Sequence, residues 1–191
     1  MMVEERFRPE RDTLKVAEWR IAMEPIIITP TVGIGPFMLG MSEAEVREIF
    51  ERRPEFYNIG SSLNYHSTIE QLSVKVDFDA DNKVNFIEIG NPYEAEPDFV
   101  CLCKGIDVFR TMAEELVKEI DKETKYVRDH DAEAGYSYRF SEIQLLFWRE
   151  RVITEEILNS EEFQRELSPE NQEIEKQHFF FTTVAVTSPG Y

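Results

Sequence analysis

GIGPFMLGMSEAEVREIFERRP, residues 33–54, is the stretch that decides the fold. Ser42 is a favoured N-cap residue. Glu45, three residues on, completes a capping box in which each side chain satisfies a backbone N–H of the other. Met41 before the cap and Val46 at the fourth helical position are placed to form a hydrophobic staple. Val46, Ile49 and Phe50 make a single apolar stripe. Arg47, Arg52 and Arg53 lie toward the end where the helix dipole favours cations, and Pro54 stops the helix. The spacing predicts a helix over residues 42–53 with one apolar face, which needs a sheet to cover it.

The sheet follows. Leu72, Val74, Val76 and Phe78 alternate with polar residues, DADNK at 79–83 has turn composition, and VNFIEI at 84–89 pairs back as a hairpin. In that last strand Val84 and Phe86 share one face and Ile87 and Ile89 the other. A β-bulge at Phe86-Ile87 would turn all four toward one core; without it the strand must be covered on both faces. A weaker strand is expected over residues 63–66, and Asn91 and Pro92 close the unit.

A second unit then begins. Residues 99–103 read as a short apolar strand, and GIDVF at 105–109 echoes GIGPF at 33–37. Thr111 is expected to cap a helix with Glu114 as its box partner, and Met112, Leu116 and Ile120 share a face with Ala113 beside them. Tyr136, Tyr138 and Phe140 alternate, Ser141-Glu142 makes a turn, and IQLLFW at 143–148 and HFFFTTVAVT at 178–187 supply two more strands. The glycine motifs begin at 33 and 105 and the caps stand at 42 and 111, so the order of motif, cap, helix and hairpin repeats with offsets of 72 and 69. The expected fold class is α+β, in two tandem helix-plus-antiparallel-sheet units. Residues 1–24 are an N-terminal extension, with Leu14, Ala17 and Ile21 spaced for a short helix, and 25–98 are the first unit. The second unit, 99–191, carries an insertion at about 150–177, rich in glutamate, with one short helix near residues 160–167.

A hydrophobic share of 42%, with 14 Phe and 7 Tyr, is enough to fill a core. The net charge of -17 repels phosphate backbones, so nucleic acid is an unfavourable partner and a basic protein a favourable one. No apolar run is long enough to span a bilayer. MMVEERFRPERD is too polar for a signal peptide, which gives the cytoplasm as the expected location and leaves Met1 and Met23 both open as starts.

Chemistry is sparse. Gly33, Gly35 and Gly40 fit neither the dinucleotide fingerprint nor the P-loop, and Pro36 removes an amide. Cys101 and Cys103, spaced CxC, share a strand face but are poorly placed for a disulfide, and read as small buried residues. Only His66, His130 and His178 could add nitrogen ligands, and they are scattered, so no metal and no cofactor are expected. Asp129, His130 and Asp131 form one local polar cluster, read as a loop before a strand. No GxSxG occurs, neither Cys sits near a His in sequence, and no catalytic residues are assigned.

The pattern GIGPFMLGMSEAEV, with GIDVF and the C-terminal PGY at 189–191, resembles a recurrent set of small bacterial cytoplasmic proteins, many of them from Firmicutes. The glycine-Met-Ser-plus-helix element is also similar to that of the beta-lactamase inhibitory protein and of the small lipoprotein of the outer-membrane barrel assembly machinery. Both are binding modules, and the inhibitory protein is a tandem repeat of helix-plus-sheet units. The resemblance therefore implies a binding role. The chain departs from these relatives in its 1–24 extension and its acidic insertion.

The expected function is a non-enzymatic acidic protein-binding module, an immunity or inhibitor protein for a basic toxin or enzyme. A small enzyme whose site assembles only in three dimensions, or a housekeeping protein, is the alternative. The expected partner-binding residues are Glu155, Glu156, Glu161, Glu162, Phe163 and Glu166, where carboxylates steer a basic surface and an apolar residue holds it.

Overall fold

The structure is a computed structural model that describes residues 24–53, 55–58, 63–67, 72–91 and 99–191. The expected helix in the N-terminal extension, Pro54 and Pro92 lie outside the described residues. The fold is α+β, as the periodicities predict.

The chain opens on a strand absent from the expected elements, β1 (Ile26–Thr29), which turns back into β2 (Gly33–Ile34) and β3 (Phe37–Met38). Gly33 is needed there, because a Cβ at that position would lie 2.1 Å from the Phe37 carbonyl oxygen. Helix α1 (Glu43–Glu51) follows. Its capping box is complete: the Glu45 N–H donates to Ser42 Oγ at 3.4 Å, and the Ser42 N–H donates to Glu45 Oε2 at 2.8 Å. The hydrogen bonds from Ser42 hold the Glu45 carboxyl below the usual carboxylate range. Val46 and Phe50 are buried, while Ile49 and Met41 are half-buried against the same core.

Four strands come next: β4 (Phe56–Asn58), β5 (Leu63–Ser67), β6 (Leu72–Phe78) and β7 (Val84–Gly90). The bulge exists, but it sits at Asn85, because Phe78 pairs with Val84 and Asp77 with Phe86. The extra residue brings Val84, Ile87 and Ile89 onto the helix-facing side. Phe86 is left on the opposite face, buried by Tyr191, which stacks on it at 4.8 Å, and by the Lys75 ammonium 4.9 Å from its ring centroid. One core for all four residues is thus corrected to three inside and one outside.

The second half has β8 (Cys101–Cys103), β9 (Ile106–Asp107), α2 (Ala113–Asp121), α3 (His130–Glu133), β10 (Ser137–Phe140) and β11 (Leu145–Trp148). Then come α4 (Glu155–Leu158), α5 (Glu161–Glu166), α6 (Pro169–Glu175) and β12 (Thr183–Thr187). Thr111 does not cap α2. Met112 holds the N-cap position without a side-chain bond, and the Glu114 carboxylate expected to complete a box accepts from Arg149. Met112 is half-buried, while Ala113, Leu116, Val117 and Ile120 are buried.

Two sheets result. The smaller has the order β3-β2-β1-β8-β9 and the larger the order β10-β11-β12-β7-β6-β5-β4. Among the described residues, all strand pairs are antiparallel except β1–β8, where Ile26, Ile27 and Ile28 run parallel to Cys101, Leu102 and Cys103. An entirely antiparallel arrangement is corrected at that pair. The large sheet is continuous across the two halves through β7–β12, where Val184 faces Ile89 and Val186 faces Ile87. Helix residues Val46, Phe50, Leu116 and Ile120 join the same buried cluster as these strands. Among the described residues, no helix is long and apolar enough to cross a membrane.

Replacing Ser42 with Ala removes the cap and should lower stability by about 1 kcal/mol, read as a fall in the urea midpoint with unchanged slope. An unchanged midpoint would mean that Ser42 does not hold the start of α1.

Candidate functional site

Residues 150–177 separate β11 from β12. One helix was expected there; three are present, and each begins at a hydroxyl cap. Thr154 Oγ1 accepts from the Ile157 N–H at 3.2 Å, Ser160 Oγ from the Phe163 N–H at 3.3 Å, and Ser168 Oγ from the Asn171 N–H at 3.3 Å. Glutamates fill the first turns of all three, where the dipole favours them. The signal was present in the sequence as three hydroxyl residues each followed by acids; helices this short make too weak a hydrophobic stripe to announce themselves.

This arm supplies the expected partner-binding residues. Glu155 and Glu156 stand on α4, and Glu161, Glu162, Phe163 and Glu166 on α5. All five glutamates are exposed, and among the described residues none of them makes an ion pair. Phe163 is half-buried, as are Leu158 and Leu167, and no residue of the three helices is fully buried. Ile157 is 39% exposed and Ile174 56% exposed. Residues 150–177 hold nine Glu against Arg151, Arg165 and Lys176, a net of -6. Glu175 accepts from Arg151 at 2.9 Å, which ties the two ends of the arm together.

What fastens the arm to the body is a residue the sequence did not single out. Arg149 follows β11 and is 0% exposed. Its Nε donates to the Gly135 carbonyl at 2.8 Å and its Nη2 to Glu114 Oε1 at 2.6 Å. Its Nη1 donates to the carbonyls of His178 and Phe179 at 3.3 and 3.4 Å. Those two carbonyls belong to the 3-10 turn Lys176–Phe179, so the expected long strand from 178 to 187 forms only from Thr183 onward. Gly135 is required beside it: its φ is +84°, and a Cβ would lie 3.1 Å from Arg149 Nη2.

The face of the large sheet turned away from the helices is of a different character. Across it run Ser137, Trp148, Thr183, Gly90, Ser73, His66 and Tyr57 in register. Trp148, 41% exposed, stands near one end, Tyr57 with His66 at the other, and small residues lie between. The next row carries Arg139, Glu88 and Lys75, and Asp77 lies beyond. Burial raises the Glu88 carboxyl above its ordinary range. Positive and negative groups balance on this face, whereas residues 150–177 carry a net charge of -6.

The remaining candidates are structural. RDHDAEAG was expected to be a loop; it contains α3, capped by Asp129, which accepts from the Ala132 N–H at 3.0 Å. Asp129 also lies 3.7 Å from Arg139, and His130 points into solvent. Cys101 and Cys103 are buried free thiols, and burial pushes both thiol pKa values up, that of Cys103 to about 11. Among the described residues, no group of three or more His, Cys, Asp or Glu side chains is placed to hold a metal ion. Comparisons with family models, curated proteins and solved structures gave no match to this chain.

Two outcomes follow from these geometries. At pH 8 the folded protein should resist a thiol reagent and release both thiols only in denaturant; rapid labelling of the native chain would overturn their burial. Arg149→Met should cost about 2–4 kcal/mol, since it leaves three carbonyls and a carboxylate without their donor. The same variant should be cut by trypsin at Arg151, Arg165 or Lys176 faster than the wild type. Unchanged arm cleavage would show that Arg149 does not hold the arm.

Proposed function

We propose that this chain is a non-enzymatic acidic binding module that engages a basic protein, an immunity or inhibitor protein for a basic toxin or enzyme. The contact is the arm formed by α4, α5 and α6. The observation that carries the reading is that α4, α5 and α6 contribute no buried residue to the core, yet a buried arginine fixes the base of the arm. Five unpaired carboxylates therefore stand on a positioned surface with Ile157 exposed and Phe163 half-buried among them. Clustered charge speeds the arrival of a basic partner, and apolar contacts then slow its departure.

The reading extends to the architecture and location. The two halves are tandem copies of one helix-plus-sheet unit, as in the beta-lactamase inhibitory protein that the sequence resembles. The order β10-β11-β12 against β7-β6-β5 supports this, because the last strands of the two halves meet at the centre and the earlier ones lie outward in the same sequence. The working location is the cytoplasm.

The test is capture from a native-cell lysate at low salt with the full chain as bait, followed by kinetics with the captured protein. Reversing Glu161, Glu162 and Glu166 to Lys should slow association about tenfold or more at low salt, with a smaller effect at high salt and an unchanged melting temperature. A captured partner that binds the triple variant at the wild-type rate would sink the arm as the docking site.

A further inference from the structure

Where the outer face of the large sheet meets α3 lies an open cavity of about 570 Å³. Ser137 and Arg139 of β10 and Leu146 of β11 line it from the sheet, Asp129 and Asp131 from the α3 side, and Tyr191 from the turn beyond β12. Clefts of roughly 300–1,000 Å³ are the usual size for small-molecule sites, so this one has room for a ligand of one ring or two.

Several polar groups on this lining have no partner. The Arg139 guanidinium lies 3.7 Å from Asp129, beyond hydrogen-bond reach, and among the described residues it donates to no acceptor. The hydroxyls of Ser137 and Ser141, both on the lining, likewise make no hydrogen bond among the described residues. Gln144 is committed: its carbonyl accepts from Thr187 Oγ1 at 3.3 Å and its amide donates to the Ser141 carbonyl. Asp129 gives one oxygen to the Ala132 N–H at 3.0 Å and turns the other toward Arg139.

The close spacing of opposite charges selects the ligand. A carboxylate brought to Arg139 meets Asp129, and an ammonium brought to Asp129 meets Arg139, so ions of either sign are opposed. A net charge of -17 repels anions further. A hydroxyl group suits both neighbours, because it accepts from the guanidinium and donates to the carboxylate. Beside these groups stands apolar surface. One face of the Tyr191 ring stacks on Phe86 at 4.8 Å, the residue is 59% exposed, and Leu146 is half-buried. An added peptide strand fits less well, since the Arg139 carbonyl already accepts from the Val127 N–H at 2.8 Å and closes the β10 edge there. A pyranose ring carries hydroxyls around its rim and C–H groups on its faces, which matches this arrangement. We infer that the cavity is a binding site for a neutral mono- or disaccharide, with hydroxyls between Arg139 and the two aspartates and a C–H face against Tyr191. It contains no residue of α4, α5 or α6, so it stands or falls independently of the protein-binding function.

The probes are the methyl α-pyranosides of D-glucose, D-galactose and D-mannose, with maltose, lactose and cellobiose. Each is titrated into the full chain and followed by backbone amide NMR. At least one should give saturable shifts at the amides of Arg139, Leu146 and Tyr191; no saturable shift with any of them overturns the site. For a sugar that binds, Arg139→Met should raise Kd about tenfold, the loss of roughly one or two hydrogen bonds, and Tyr191→Ala several-fold, both with Tm near that of the wild type. Wild-type affinity in Arg139→Met overturns the placement. A neutral ligand should keep its Kd within about twofold between roughly 0.02 and 0.5 M NaCl. A steep loss of affinity with salt, or saturable shifts at the same amides with sodium acetate or methylammonium chloride, overturns the neutral-ligand assignment. Should Arg139→Met lose its fold, Asp131→Ala decides, since that side chain is 70% exposed; unchanged sugar affinity there is fatal.

Discussion

A buried arginine holds the second half together. Placing a guanidinium at 0% exposure is costly unless each of its nitrogens finds an acceptor, and the three nitrogens of Arg149 reach one carboxylate and three carbonyls. Those acceptors come from α2, from the turn before β10 and from the turn before β12. The single side chain therefore fixes where the helix sits on the sheet, where the arm leaves and where it returns. The same bond set includes Glu114, which does not cap α2, and the carbonyls of His178 and Phe179, which stand in a turn ahead of the strand.

The first half is held in a different way. Its helix is fixed by a local capping box and by aliphatic packing, and its strands carry mostly branched side chains. The seam between halves, β7 on β12, joins Ile87 and Ile89 to Val186 and Val184. Neither half has its own closed core, because the buried cluster runs through both helices and across the seam. A sheet that buries one face needs this shared cover, and the seam removes two strand edges that would otherwise be open to pairing with other chains.

Much of the local structure was legible. The α1 cap, the alternation in β6, the turn at 79–83, the buried CxC strand and the aromatic strands β10 and β11 all follow from short-range periodicity and hydrogen-bonding residues. The exposure of Glu155, Glu156, Glu161, Glu162 and Glu166 was legible as composition, because carboxylates without a partner stay in water. Less legible were β1 and the parallel pairing with β8, since IIIT is too short to mark itself as a strand without its neighbour. Thr111 looked as good a cap as Ser42, and nothing nearby in the chain signals that Glu114 is committed elsewhere.

The sequence by itself determined the α+β class, the position of the first helix, the alternating strands and the concentration of acid between β11 and β12. These depend on residues within a turn or two of one another, where backbone geometry and capping act directly. The tertiary structure alone decided the order of strands across the seam, the shift of the bulge to Asn85, the outward turn of Phe86 under Tyr191 and the anchoring of the arm by Arg149. Each of these joins residues far apart in the chain, and their energies depend on burial, which no local pattern records.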